Sequence, residues 1–265
     1  MERFLYRLSR SAHADQFVLK GALMLRAWGS SEFRPTMDID LLGKTSNLKA
    51  DLVAQVKEVV QFDVEPDGLS FDPDSIRSEE ITEDADYSGL RIRFYGTLDT
   101  ARVNMQLDIG FGDIVHPAAE KSELPTILDH TPPLLLCYSR ESAIAEKLEA
   151  MVKLGKVNSR MKDFYDIRLL SRQFDFAGDS LAEAIRLTFK NRETELSLRI
   201  SAFEAKFVTE KQVQWNAFRN RLQQNDLPLA FEDVVQTIES FLTHPLAILL
   251  ESAKPKNWIA PGPWA

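Results

Sequence analysis

Two rhythms of apolar and polar residues run along this chain, and they change over near residue 138. In "FVLKGALMLRAWG", residues 17–29, a short apolar strand meets Gly21 and continues as a helix, with Leu23, Met24, Ala27 and Trp28 at helical spacing. "MDIDLLG", residues 37–43, predicts a second short strand closed by Gly43. "NLKADLVAQVKEVVQF" predicts an amphipathic helix with Asn47 as its N-cap. The stretch that follows is rich in β signals, with a hairpin expected between "GLRIRFYGTL" and "ARVNMQLDIGFG". In its second strand Val103, Met105, Leu107 and Ile109 alternate with Asn104, Gln106 and Asp108.

From about residue 139 the period becomes helical. "SRESAIAEKLEAMVKLGK" and "KDFYDIRLLSRQF" predict two helices, and further helices are expected over 179–190, 194–205, 209–224 and 231–251. The tail "AKPKNWIAPGPWA" is Pro-rich and reads as extended. The expected fold class is α/β (α+β), an α/β part over 1–138 followed by a helical part over 139–265.

Composition narrows the class. The 265 residues are 44% hydrophobic and 27% charged, as in ordinary globular proteins. No apolar run approaches the roughly 20 residues that span a bilayer, and the start has no signal-peptide core, so no membrane partner is expected. The lone Cys137 excludes an internal disulfide framework and fits a reducing cytoplasm; with only four His beside it, a structural zinc site is disfavoured. The net charge of −8 is uneven: residues 63–113 carry thirteen acids against four arginines, whereas residues 140–172 carry eight bases against five acids. The acidic total argues against nucleic acid, yet the local basic stretch suits phosphates.

Asp38 and Asp40 are where chemistry enters. On a strand they project from one face, with Met37, Ile39 and Leu41 on the other. Two carboxylates so placed repel unless a cation sits between them, and Mg²⁺ is typically held by one or two carboxylates plus substrate phosphates. A wet strand face explains the pair equally simply, and from these two residues alone it is the favoured explanation. Asp108, on the polar face of its strand, offers a third carboxylate for a two-metal arrangement around a triphosphate, or an ordinary strand-end acid. The strand–Gly21 junction exposes amides suited to a phosphate, with Lys20 beside it.

On the first C-terminal helix, Lys147 is the one charge inside an apolar arc formed by Ile144, Leu148, Met151, Val152 and Leu154, while Glu146, Glu149, Lys153 and Lys156 fall opposite. Such a lysine either snorkels or meets an anion. On the next helix Asp163 points between Ile167 and Leu170, where it caps the first turn or serves a site, and Asp166 borders the same face. Arg160 and Lys162 upstream are phosphate binders or solvated cations.

Together, "LKGALMLRAW…RPTMDIDLL", "ESAIAEKLEAM" and "RMKDFYDI" resemble the AbiEii/AbiGii toxin family, nucleotidyltransferase-like toxins of toxin–antitoxin systems that include MenT-like toxins. The likeness spans residues 17–170, with the motifs in the family's order. It implies a polymerase-β-like nucleotidyltransferase core over 1–138 and a helical domain over 139–265 that completes the active site. It further implies Mg²⁺ on Asp38 and Asp40, an NTP as substrate with its triphosphate near Gly21, Lys147 on the phosphates, and Asp163 in the place of the family's later aspartate. A cognate antitoxin and a tRNA acceptor end are the implied partners. Ala22 departs from the family's second Gly or Ser, which removes one phosphate hydrogen bond.

The resulting expectation is an Mg²⁺-dependent nucleotidyltransferase toxin. Its catalytic residues are Asp38, Asp40, Lys147 and Asp163, and its nucleotide contacts Lys20, Gly21, Lys147, Arg160 and Lys162. Asp38, Asp40 and Asp108 hold metal, and an RNA acceptor, the tRNA 3′ end, docks on the basic stretches 140–172 and 186–221. Two other readings keep part of this chemistry: nucleotidylylation of a protein hydroxyl, and nucleotide binding without turnover, toward which Ala22 points. A metal-dependent nuclease ranks last because it gives no reason for the Gly21 junction. Nothing in the sequence fixes an oligomeric state.

Overall fold

The computed structural model describes residues 1–265 apart from residue 33, residues 84–86 and residue 225; Asp84 and Asp86 of the acidic segment thus lie outside the described residues. Two compact units emerge. The first takes in Met1–Asp113 and Ala119–Tyr138, the second Ile114–Ala118 and Ser139–Ala265. Residues 114–118 join the helical unit although they precede residue 138. The reason is local: the His116 N–H donates to Ser142 Oγ (2.7 Å), and the Ser142 and Ser139 hydroxyls donate back to the His116 carbonyl (2.9 and 2.8 Å).

The first unit runs α1 (Glu2–Arg10), β1 (Phe17–Lys20), α2 (Met24–Ala27), β2 (Ile39–Gly43), α3 (Lys49–Val60), β3 (Leu69–Phe71), β4 (Arg77–Glu83), β5 (Tyr87–Leu98), β6 (Ala101–Phe111), β7 (Glu120–Glu123) and β8 (Leu134–Cys137). Among the described residues these eight strands form one mixed sheet in the order β3-β5-β6-β2-β1-β8-β7, with β4 also on β5. The β2–β6 and β1–β8 pairs are parallel and the rest antiparallel. Alternation sets the faces: Ile39, Leu41, Ile92, Leu107 and Ile109 are all buried, while Asp40, Arg91 and Asp108 between them point the other way. Phe4 of α1 meets Phe71 and Phe94 of the sheet in an aromatic cluster.

Several local expectations change. The helix after Gly21 is only a 3₁₀ turn, Gly21–Leu23, followed by the four residues of α2. Asn47 does not cap α3; Leu48 holds that position, and the Ser46 hydroxyl accepts from its N–H (3.2 Å). Met37 precedes β2 and is 90% exposed, so it does not share the core face with Ile39 and Leu41.

The second unit contains α4 (Arg140–Leu154), α5 (Met161–Gln173), β9 (Phe176–Ala177), α6 (Gly178–Asn191), α7 (Ala205–Leu222), α8 (Phe231–Glu251) and β10 (Asn257–Trp258). Its core joins Ile144, Leu148, Phe164, Ile167, Ile185, Trp215, Ile238 and Phe241. The helix expected over 194–205 is absent save for a 3₁₀ turn, Ser201–Phe203. Glu193 adopts φ 51°, which stops α6, and the Thr194 hydroxyl then donates to Glu149 (2.5 Å). That segment covers Glu149, which is 2% exposed and paired with Arg192 (2.9 Å), not solvated as helical periodicity suggested. The tail is extended but anchored: β10 pairs with β9, and Trp258 is buried. No helix among the described residues is long and apolar enough to cross a membrane.

Candidate active site

The sheet register brings four charged residues of the first unit into one row. Arg91 of β5 pairs with Asp108 of β6, Asp108 with Asp40 of β2, and Asp40 with Lys20 of β1. Side chains of directly paired residues project to the same side, so the row reads cation, carboxylate, carboxylate, cation. Asp38, two residues before Asp40, adds a third carboxylate, and Asp38, Asp40 and Asp108 each offer an oxygen within 4.8 Å of the others. All three are partly exposed. Three carboxylates make an all-oxygen, hard donor set, which suits Mg²⁺ or a similar hard cation and not zinc.

Asp38 and Asp108 are held from outside the cluster. The Thr36 hydroxyl donates to Asp38 Oδ1. Arg91 donates through Nε (2.8 Å) and Nη2 (2.7 Å) to the two oxygens of Asp108. Those hydrogen bonds hold the guanidinium pKa well above its ordinary value, against burial, with Coulomb attraction to Asp108, Glu79 and Asp38 adding to them. Asp40 leans over the turn at Gly21. That glycine has φ +73°, and a Cβ built on it would stand 1.9 Å from Asp40 Oδ2. Only glycine meets both conditions without displacement of the carboxylate. The amides at this junction belong to a turn, since α2 is too short to carry a helix dipole of consequence.

Lys20 ends the row. Its ammonium lies 2.8 Å from Asp113 Oδ2, a carboxylate 2% exposed, and 5.5 Å from the centre of the Tyr138 ring. Neither Asp113 nor Arg91 stood out in the sequence. Arg91 was within reach of it: the strands flanking Asp99-Thr100 pair Leu98 with Ala101, and counting back seven residues on each side puts Arg91 opposite Asp108. Asp113 carries no such signal, because 93 residues separate it from Lys20.

In the second unit Lys147 does meet anions. Its Nζ donates to Asp163 Oδ1 (3.0 Å) and lies 2.8 Å from Asp166 Oδ2, both carboxylates almost fully buried on α5. Asp163 therefore does not cap α5, whose N-cap is Arg160 with no side-chain hydrogen bond. Arg160 Nε sits 2.9 Å from Asp163 Oδ2 as an ion pair, at an angle outside hydrogen-bond geometry. Lys162 is exposed. The structure thus collects Lys147, Asp163, Asp166 and Arg160 in one cluster, and Lys20, Gly21, Asp38, Asp40 and Asp108 in another.

Comparison with known proteins places the chain in a family. No curated protein matches the chain. Among solved structures, JHP933 from Helicobacter pylori is 15% identical, covering 94% of this chain and 93% of that one with a TM-score of 0.49. An H. pylori protein described as a candidate nucleotidyltransferase is 16% identical, with coverages of 91% and 92% and a TM-score of 0.46. ANT(2″)-Ia, in complex with adenylyl-2″-tobramycin, is 14% identical, with coverages of 83% and 94% and a TM-score of 0.31. The family model "Nucleotidyl transferase AbiEii toxin, Type IV TA system" matches residues 3–237, a span that takes in the sheet and every residue of both clusters. On that match the chain belongs to the AbiEii nucleotidyltransferase toxins of type IV toxin–antitoxin systems.

Proposed function

We propose that this nucleotidyltransferase toxin moves a nucleotide from an NTP onto the 3′ end of a tRNA in the cytoplasm, with Mg²⁺, and so blocks translation. The observation that carries the reading is the convergence of Asp38, Asp40 and Asp108 within 4.8 Å beside the Gly21 turn. In the transfer the acceptor hydroxyl oxygen bonds to the α-phosphorus. The bond from that phosphorus to the bridging oxygen breaks, pyrophosphate leaves, and the hydroxyl proton passes to a base. Asp38, Asp40 and Asp108 would hold the metal, which when bound stabilises charge on the triphosphate and acidifies the acceptor hydroxyl.

Thr36 keeps one Asp38 oxygen oriented, and the Gly21 turn lets Asp40 approach the backbone where the triphosphate binds. Lys20 adds positive charge there. Lys147 neutralises the leaving phosphates, with Asp163 and Asp166 fixing its ammonium. Arg160 and Lys162 extend the positive surface toward nucleotide or acceptor. A single-stranded RNA end suits such a site because its terminal hydroxyl is free to enter. The antitoxin is the second partner that the family implies.

The test is incubation with Mg²⁺, each labelled NTP in turn, and either total tRNA or a cell lysate, beside Asp38→Ala. Label on tRNA that is lost in Asp38→Ala is the expected result. Label on protein redirects the reading to a protein hydroxyl, and nucleotide binding without label transfer overturns it.

A further inference from the structure

The fork between Arg91 and Asp108 has no part in the transfer scheme above, yet it engages both oxygens of a carboxylate in the acidic cluster. Each carboxylate oxygen has two lone pairs; Oδ2 of Asp108 also accepts a long bond from Gln106 Nε2 (3.4 Å), so beside the bidentate arginine it is Oδ1 that keeps a lone pair for a second partner. The arginine is braced as well. It faces Asp108 through the β5–β6 ladder, and its Nη1 lies 3.8 Å from Glu79 of β4, which in turn pairs with Arg93 at 2.8 Å. Its charge is therefore fixed at one edge of three mutually repelling carboxylates.

We infer that Arg91 sets the metal affinity of this cluster. Its charge offsets one of the three negative charges, so the bare site binds a divalent cation weakly and fills when nucleotide phosphates complete the ligand set. The inference rests on the reading that Asp38, Asp40 and Asp108 hold the metal. It assigns Arg91 a positioning and tuning role, not contact with reacting atoms. A purely structural tie predicts the opposite sign: loosening Asp108 would weaken metal binding. Offsetting charge predicts that removing Arg91 strengthens it. A unit charge one side chain from a dication, in a half-exposed site of high effective dielectric, changes affinity by roughly tenfold.

The experiment titrates Mn²⁺ into the full chain and follows free Mn²⁺ by electron paramagnetic resonance, with and without a non-hydrolysable triphosphate analogue. The wild type should bind Mn²⁺ weakly alone and about tenfold or more tightly with the analogue. Arg91→Gln should tighten binding to the bare protein by roughly tenfold and shrink the analogue's effect. Arg91→Lys, which keeps the charge and loses the fork, should stay within about threefold of wild type. Equal or weaker binding by Arg91→Gln overturns the inference, as does a bare wild type that already binds as tightly as with the analogue. If Arg91→Gln fails to fold by circular dichroism, Arg91→Met, which also removes the charge, takes its place with the same expected tightening. Loss of all Mn²⁺ binding in Asp38→Ala supports the underlying site. A wild type silent with and without analogue overturns the metal site itself, and the inference with it.

Discussion

Gly21 and Gly29 share a backbone angle and differ in what lies above them, which makes an internally controlled experiment. Both have φ +73°. A Cβ on Gly29 meets nothing within 4 Å, whereas one on Gly21 stands 1.9 Å from Asp40 Oδ2, 2.7 Å from its Cγ and 2.8 Å from its Cβ. An alanine at either position bears the left-handed backbone cost of about 1–2 kcal/mol. At Gly21 the Asp40 carboxylate must also leave its place, adding about 0.5–1.5 kcal/mol of rotamer strain, and the contact with Asp40 Cβ at 2.8 Å is relieved only by a shift of the backbone. The expected destabilisation in urea titrations is thus about 1–2 kcal/mol for Gly29→Ala and at least about 1.5–3.5 kcal/mol for Gly21→Ala. Activity should separate them far more. Displacing a carboxylate of the site by an ångström costs on the order of 100-fold in turnover, so label transfer should collapse in Gly21→Ala and stay near wild type in Gly29→Ala. If the two variants lose equal stability and Gly21→Ala keeps its transfer rate, Gly21 is not a seat for Asp40 and the reasoning fails.

Other parts of the molecule make separate demands. Burial raises the Asp67 pKa, but hydrogen bonds from Arg7 and Arg3 outweigh it, so the net value lies well below the ordinary carboxylate range. A depressed folded-state pKa gives stability that is present above the unfolded value near 3.9 and lost as pH falls toward the folded one. Asp67→Asn should therefore cost about 3 kcal/mol at pH 7, and urea titrations should show the gap narrowing below about pH 4; a gap constant down to pH 2 would count against the pairing. Lys147→Met should lower stability by about 2–3 kcal/mol, because it takes a cation away from two buried carboxylates, Asp163 and Asp166. A loss under about 1 kcal/mol would show that the carboxylates do not depend on it. Trp258→Ala, which removes a buried ring whose Nε1 donates to the Ser171 carbonyl at 2.6 Å, should cost about 3–5 kcal/mol by thermal or urea unfolding. An unchanged midpoint would mean the tail only lies along its unit.

Much of the site is legible in the sequence because strand alternation is strict. Alternation put Asp108 on the polar face of its strand, while its place opposite Asp40 comes from the parallel β2–β6 register, and the helical arc around Lys147 marked it as a charge that either snorkels or meets an anion. The misses share a cause. A helical wheel judges each helix alone, so Glu149 looked solvated until Arg192 and Thr194 folded over it. Local propensity placed a helix over 194–205, but Glu193 in a left-handed conformation and the Thr194 anchor decide that segment. Asp113 reaches Lys20 across 93 residues, and only the assembled fold reports that pairing. Asp163 looked like a cap because first-turn aspartates so often are, yet a lysine from another helix claims it.

The order of strands has a further consequence for how the protein breathes. β1, β2 and β6, which carry Lys20, Asp40 and Asp108, each have a paired strand on both sides, whereas β3, β4 and β7 lie at margins of the sheet. Marginal strands exchange their amide hydrogens through small local openings; interior ones exchange only when a whole cooperative segment opens. The amides of residues 39–43 and 105–109 should accordingly be among the last in the first unit to take up deuterium. Asp40 and Asp108 then inherit the full cooperative stability of the sheet, and the fraying of a marginal strand leaves their spacing intact.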